Sequence, residues 1–152
     1  MVSKVEDHAW RYPEDSPDAR EGLPAVMAKR SREDPRLTRV SKICLALPQA
    51  TRQDLESHAS FLIRKKPFAY FLNNHHGDGI VSIACKALPG DNSALVAAQP
   101  DRFYLPAYIG PRGWVALRLD VGEADWQEVS ELITGSYCLI APKRLAASVA
   151  AV

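Results

Sequence analysis

The stretch SFLIRKKPFAYFLNNHHGDGIVSIACK (Ser60–Lys86) decides how the rest of the chain is read. Within it Phe68, Tyr70 and Leu72 alternate with Ala69 and Phe71, a period of two that belongs to a strand. Asn73 to Gly79 is a run of turn-formers with two glycines, and Ile80 to Lys86 is a second apolar run of strand length. Two such runs around a polar tip make a hairpin, and hairpins make antiparallel sheet. Thr51 to Ser57 reads as a polar edge strand before them.

Outward from this core the period changes. Asp34 is a capping residue, Pro35 suits a first helical turn, and Leu37, Val40, Cys44 and Leu47 recur at helical spacing until Pro48 stops them. Asn92 to Gln99 reads as a short helix ended by Pro100. Arg102 to Ile109 and Trp114 to Asp120 read as strands flanking a Gly-Pro-Arg-Gly turn, Gly110 to Gly113. Trp126, Val129, Ile133, Tyr137 and Ile140 form the stripe of a closing helix, with Gly135 marking a kink. The order α-β-β-β-α-β-β-α predicts a two-layer α+β domain, an antiparallel five-stranded sheet with helices on one face.

Composition sets the outer limits. The chain has 152 residues, 47% hydrophobic and 24% charged, which suits one globular domain. A net charge of +1 disfavours a protein that coats nucleic acid by bulk charge. No apolar run is long enough to span a membrane. Lys4, Glu6 and Asp7 stand where a secretory signal would be apolar, so a cytoplasmic location is expected. Cys44, Cys85 and Cys138 form no CxxC pair and read as buried thiols. Residues 1–35 hold six basic and eight acidic residues with Pro13, Pro17 and Pro24, the composition of a flexible tail, with a short helix around Val26 to Arg30. Residues 36–152 then form the single domain, and an acidic tail is expected to mask its positive charge.

Arg64, Lys65 and Lys66, followed at once by Phe68, Tyr70 and Phe71, are the strongest pointer to nucleic acid: cations neutralise phosphates, and exposed rings stack bases. Lys86, Arg112, Arg52, Lys143 and Arg144 extend the patch if the fold gathers them. His75, His76 and Asp78 have metal-ligand chemistry, but neighbours on a strand point to opposite faces and no further ligand is near, so no metal is expected. There is no GxSxG, HExxH or phosphate-binding glycine loop, and nothing brings Ser136, His58 and Glu56 together as a nucleophile and base. No enzyme activity is expected. Ser136 and Tyr137 read as structural hydrogen-bonders. Trp114 and Trp126 are expected to lie close, closing the core or lining a groove with Tyr137.

The segments Ile43–Pro48, Phe61–Ala69, Gly113–Leu119 and Trp126–Tyr137 together resemble the MmcQ/YjbR-like family of small bacterial proteins, over nearly all of residues 36–145. Gln49 departs from the Gly usual after the Leu-Pro. The resemblance implies a secretion-chaperone-like α+β fold and DNA binding through a double-wing surface; no cofactor is expected. The expectation is therefore a non-enzymatic protein that binds DNA weakly and with strong salt sensitivity through Arg64, Lys65, Lys66 and Arg112. The alternative is a protein-interaction or small-ligand module, or a homodimer, using an exposed sheet face or the Trp114 and Trp126 groove.

Overall fold

A computed structural model describes residues 33–56 and 58–150. The expected tail, apart from its last residues, and its short helix lie outside them. Helix α1 (Pro35–Leu45) starts as its sequence requires: the Asp34 carboxylate accepts from the Arg36 N–H at 2.8 Å, and Pro35 fills the first turn. Strands β1 (Ala50–Asp54), β2 (His58–Ile63), β3 (Lys66–Asn73) and β4 (Val81–Lys86) follow as consecutive antiparallel neighbours. Helix α2 (Asp91–Ala98), a two-residue β5 (Phe103–Tyr104), β6 (Trp114–Arg118), helix α3 (Trp126–Ile140) and helix α4 (Lys143–Ala150) complete the chain. The sheet order is β1-β2-β3-β4-β6-β5.

The α+β reading holds, with six strands in place of five and a fourth helix, α4, after the expected closing helix. The run read as one strand from Ser60 to Leu72 turns back on itself at Arg64 and Lys65, which both adopt positive φ (51° and 70°). Ile63 pairs with Lys66 across them. Two left-handed residues in a two-residue loop match the twist of the flanking strands, but the usual Asn-Gly signal is missing. The strand expected from Arg102 to Ile109 shrinks to two residues because the chain leaves the sheet at Leu105 and Pro106.

Helices α1 and α3 bury Val40, Cys44, Val129, Ile133 and Tyr137 against Phe61, Ile63, Phe71, Ile83, Cys85, Val115 and Leu117 of the sheet. Helix α3 runs unbroken through Gly135, so no kink forms there. The other face of the sheet is buried too. Tyr70, Leu72, Ala84, Trp114 and Ala116 cluster there, and Ile109 from the segment after β5 packs onto them. Its polar members are partnered in part: Ser82 and Tyr104 share a hydrogen bond of 2.8 Å.

Candidate nucleic-acid interface

Strand register determines which charges meet. β2 ends, β3 begins, β4 ends and β6 begins at the same end of the sheet, because each pair is antiparallel. Arg64, Lys65 and Lys66 are exposed at the β2–β3 turn. Lys86 closes β4 and pairs in register with Trp114, and Arg112 is exposed in the short 3-10 turn just before that tryptophan. With strands about 4.8 Å apart, Lys66, Lys86 and Arg112 therefore rise from three neighbouring chain positions. Helix α3 ends here as well, since its Ile140 packs on the Tyr70 and Trp114 cluster. Lys143 and Arg144, exposed at the start of α4, follow at once. Asp91, opening α2, brings one carboxylate to this end.

The acidic residues collect at the other end. Asp54 ends β1, Asp78 lies in the β3–β4 connection, and Asp120, Glu123 and Asp125 follow β6. Asp120 accepts from Arg118 at 3.0 Å and from the Val81 N–H at 3.2 Å, and the guanidinium holds its carboxyl below the usual range. The molecule is thus polarised along its strands.

Arg52 does not join the basic end. Its guanidinium pairs with Glu33 at 2.8 Å and Asp54 at 2.6 Å and donates to Ser41 Oγ at 2.8 Å, so its charge is neutralised over α1. The charge surplus of residues 1–35 also changes meaning. Residues 1–32 contain six basic and six acidic residues, so the surplus is Glu33 and Asp34. These are the carboxylates that pair with Arg52 and Arg36.

Three of the six described non-glycine residues with positive φ lie at the basic end, and Asn74 and His76 lie at the opposite one. Gln49, like Arg64 and Lys65, has a positive φ (62°), at the position where the resembled family carries glycine. Its Oε1 accepts from Arg64 Nε at 3.3 Å, so one strained residue steadies another. Left-handed backbone at residues with a Cβ costs about 1 kcal/mol each. This strain is invisible to composition or periodicity.

Sequence reasoning placed the rings differently. Phe68, Tyr70 and Phe71 are 0–2% exposed and belong to the core, so they offer no stacking platform. Trp114 and Trp126 lie in separate clusters: Trp114 packs on Tyr70 at 5.4 Å, and Trp126 lies under the Arg39 guanidinium at 4.9 Å.

Ser136 Oγ donates to the Phe68 carbonyl at 2.6 Å and accepts from the Lys86 N–H at 2.9 Å. The β3–β4 ladder ends at Ala69 and Cys85, so this hydroxyl caps the two groups beyond its last pair. Tyr137 donates to the Pro48 carbonyl at 2.7 Å, and burial pushes its phenol up while nearby Arg64 opposes that shift. His58 sits on the far face of the sheet, its ring 5.1 Å from that of His75, so it cannot serve Ser136 as a base. Among the described residues no group of three or more His, Cys, Asp or Glu is arranged to hold a metal. Burial pushes the Cys44 and Cys85 thiols well above their ordinary range. No described helix is long and apolar enough to cross a membrane.

The YjbR family model matches residues 45–139, from the end of α1 to the last turn of α3. The chain belongs to the YjbR family. The crystal structure of Deinococcus radiodurans protein DR2400, a DUF419 domain, is similar with a TM-score of 0.56 at 20% identity, over 73% of this chain and 85% of that one. At that identity the likeness concerns the YjbR fold. No curated protein matches the chain.

Proposed function

We propose that this YjbR-family protein is a non-enzymatic binder of DNA that grips the phosphate backbone with its basic end. The observation that carries the reading is the strand register, which brings the chain positions of Arg64, Lys65, Lys66, Lys86 and Arg112 to one end of the sheet. Clustered cations release counterions from a polyanion, and they do so without reading sequence. The buried rings support contact with phosphates and not with bases. The turn 64–65 and the turn 110–112 act as two short projections, one carrying Arg64 and Lys65, the other Arg112. The alternative of a binding module is weakened by two features: both sheet faces are buried, and the two tryptophans lie apart.

Fluorescence anisotropy with duplex and single-stranded probes at low salt tests the reading. Five phosphate contacts predict an affinity that falls with a log–log salt slope of about −4 to −5. The variant Arg64→Ala/Lys65→Ala/Lys66→Ala is expected to flatten that slope by about 3. Absence of binding at high micromolar protein overturns the proposal.

A further inference from the structure

We propose that the basic end is also a docking surface for an anionic lipid bilayer, with its cations at the headgroups and its exposed leucines in the interface. Peripheral contact of this kind needs no spanning helix, and the proposal does not rest on the DNA reading.

Six large hydrophobic residues are exposed among those described, and four of them, Leu45, Leu88, Leu105 and Leu139, lie at this one end, each 44–55% exposed. The topology puts them there. Leu45 closes α1 just before β1 sets out from this end, Leu88 stands two residues past β4, Leu105 follows β5, and Leu139 is next to last in α3. The other two lie elsewhere, Tyr108 against His76 and Val121 after β6. Single leucines scattered over a surface are ordinary, whereas four gathered among cations mark an interaction surface.

The charge fits the same partner. Arg64, Lys65 and Lys66 at the β2–β3 turn, Lys86 at the end of β4, and Lys143 and Arg144 at the start of α4 have no ion pair among the described residues. Arg112 has an interaction of its own and is not counted. Lys42, in the last turn of α1, adds a further cation. The carboxylates at or beside this end are Asp91, which opens α2, and Glu131, which lines a cleft with Leu47 and Pro48. These two leave most of the cations uncompensated.

A phosphodiester backbone uses the cations and leaves the leucines in water. A bilayer interface uses both, since long cationic stems reach the headgroups while apolar side chains enter the acyl boundary. One such signal alone binds a membrane marginally, and two together bind it stably. The leucines come from four different elements, and a fluid surface accommodates that scatter where a folded partner would need one continuous groove.

Cosedimentation of the full chain with vesicles tests the docking. Vesicles of equal parts phosphatidylcholine and phosphatidylglycerol are expected to carry the protein down at low salt, and vesicles of phosphatidylcholine alone are not. Each cation near an anionic surface changes partitioning roughly fivefold, so Lys143→Ala/Arg144→Ala is expected to weaken binding about twenty-fivefold. Leu88→Ser/Leu139→Ser is expected to weaken it about tenfold while leaving duplex DNA affinity unchanged. Val121→Ser, which removes a comparably exposed residue from the other end, is expected to change neither. All of these residues are exposed, so an unshifted urea midpoint reports an intact fold. No pelleting with the anionic vesicles, or equal loss in Val121→Ser, overturns the proposal. So does pelleting that the leucine variant leaves intact, which means adsorption by charge alone. A dimer in lipid-free sedimentation velocity that Leu88→Ser/Leu139→Ser dissolves assigns the leucines to a second copy and overturns it as well. Duplex binding without vesicle binding overturns this proposal alone, and vesicle binding without duplex binding supports it while overturning the DNA reading.

Discussion

Ser136 shows how one hydroxyl can join a helix to a sheet. Both of its hydrogen-bonding roles are spent on backbone groups that the β3–β4 ladder leaves over, Phe68 C=O and Lys86 N–H. Removing the hydroxyl strands two polar groups next to the core, each costing about 1–3 kcal/mol. Ser136→Ala is therefore expected to lower stability by about 2–4 kcal/mol in urea denaturation, far beyond an ordinary surface change. Because Lys86 is one of the two groups it anchors, the same variant is expected to loosen the basic end. The sequence reading recognised Ser136 and Tyr137 as hydrogen-bonders, and Tyr137 reaches Pro48 as a partner outside its helix. It did not reach the strand partners of Ser136, because sequence periodicity carries no record of which strand backbones lie opposite.

At the scale of elements, three of the four described α-helices were legible from local signals, while α4 (Lys143–Ala150) was not foreseen. Asp34, Pro35 and the stripe of α3 state their structure locally, through hydrogen-bonding side chains and spacing. The β2–β3 hairpin was not, because turn recognition relies on residues that enter left-handed backbone without cost, and Arg64 and Lys65 are not among them. The same strain yields a prediction. Lys65→Gly and Gln49→Gly each relieve a positive φ and are expected to raise stability by up to about 1 kcal/mol, read as a shift in urea midpoint. Both are expected to weaken DNA binding, the first by removing a cation and the second by releasing Arg64. Gain of stability with unchanged affinity would show that the strained loop serves the fold alone. The rings Phe68, Tyr70 and Phe71 were misplaced for a related reason. Period two says that a strand has two faces, and here both are covered.

For the whole molecule, charge placement matters more than charge total. A net +1 conceals a basic end and an acidic end held apart by antiparallel strands. Residues 1–35 carry a net −2, yet residues 1–32 are balanced and the surplus, Glu33 and Asp34, pairs with Arg52 and Arg36. Deleting residues 1–32 is accordingly expected to leave the salt slope of duplex binding unchanged in the anisotropy assay. A steeper slope in the truncated chain would mean that those residues compete for the basic end through local charge. The topology carries one more consequence, for kinetics. β1 to β4 form a meander whose contacts are close in sequence, so the loop entropy for closing them is small. β6 and α3 join across longer separations, the bond from Ser136 to Phe68 spanning 68 residues, and are expected to dock later. Loss of that hydroxyl should hasten unfolding while barely slowing refolding, making Ser136 a latch on the lifetime of the native state.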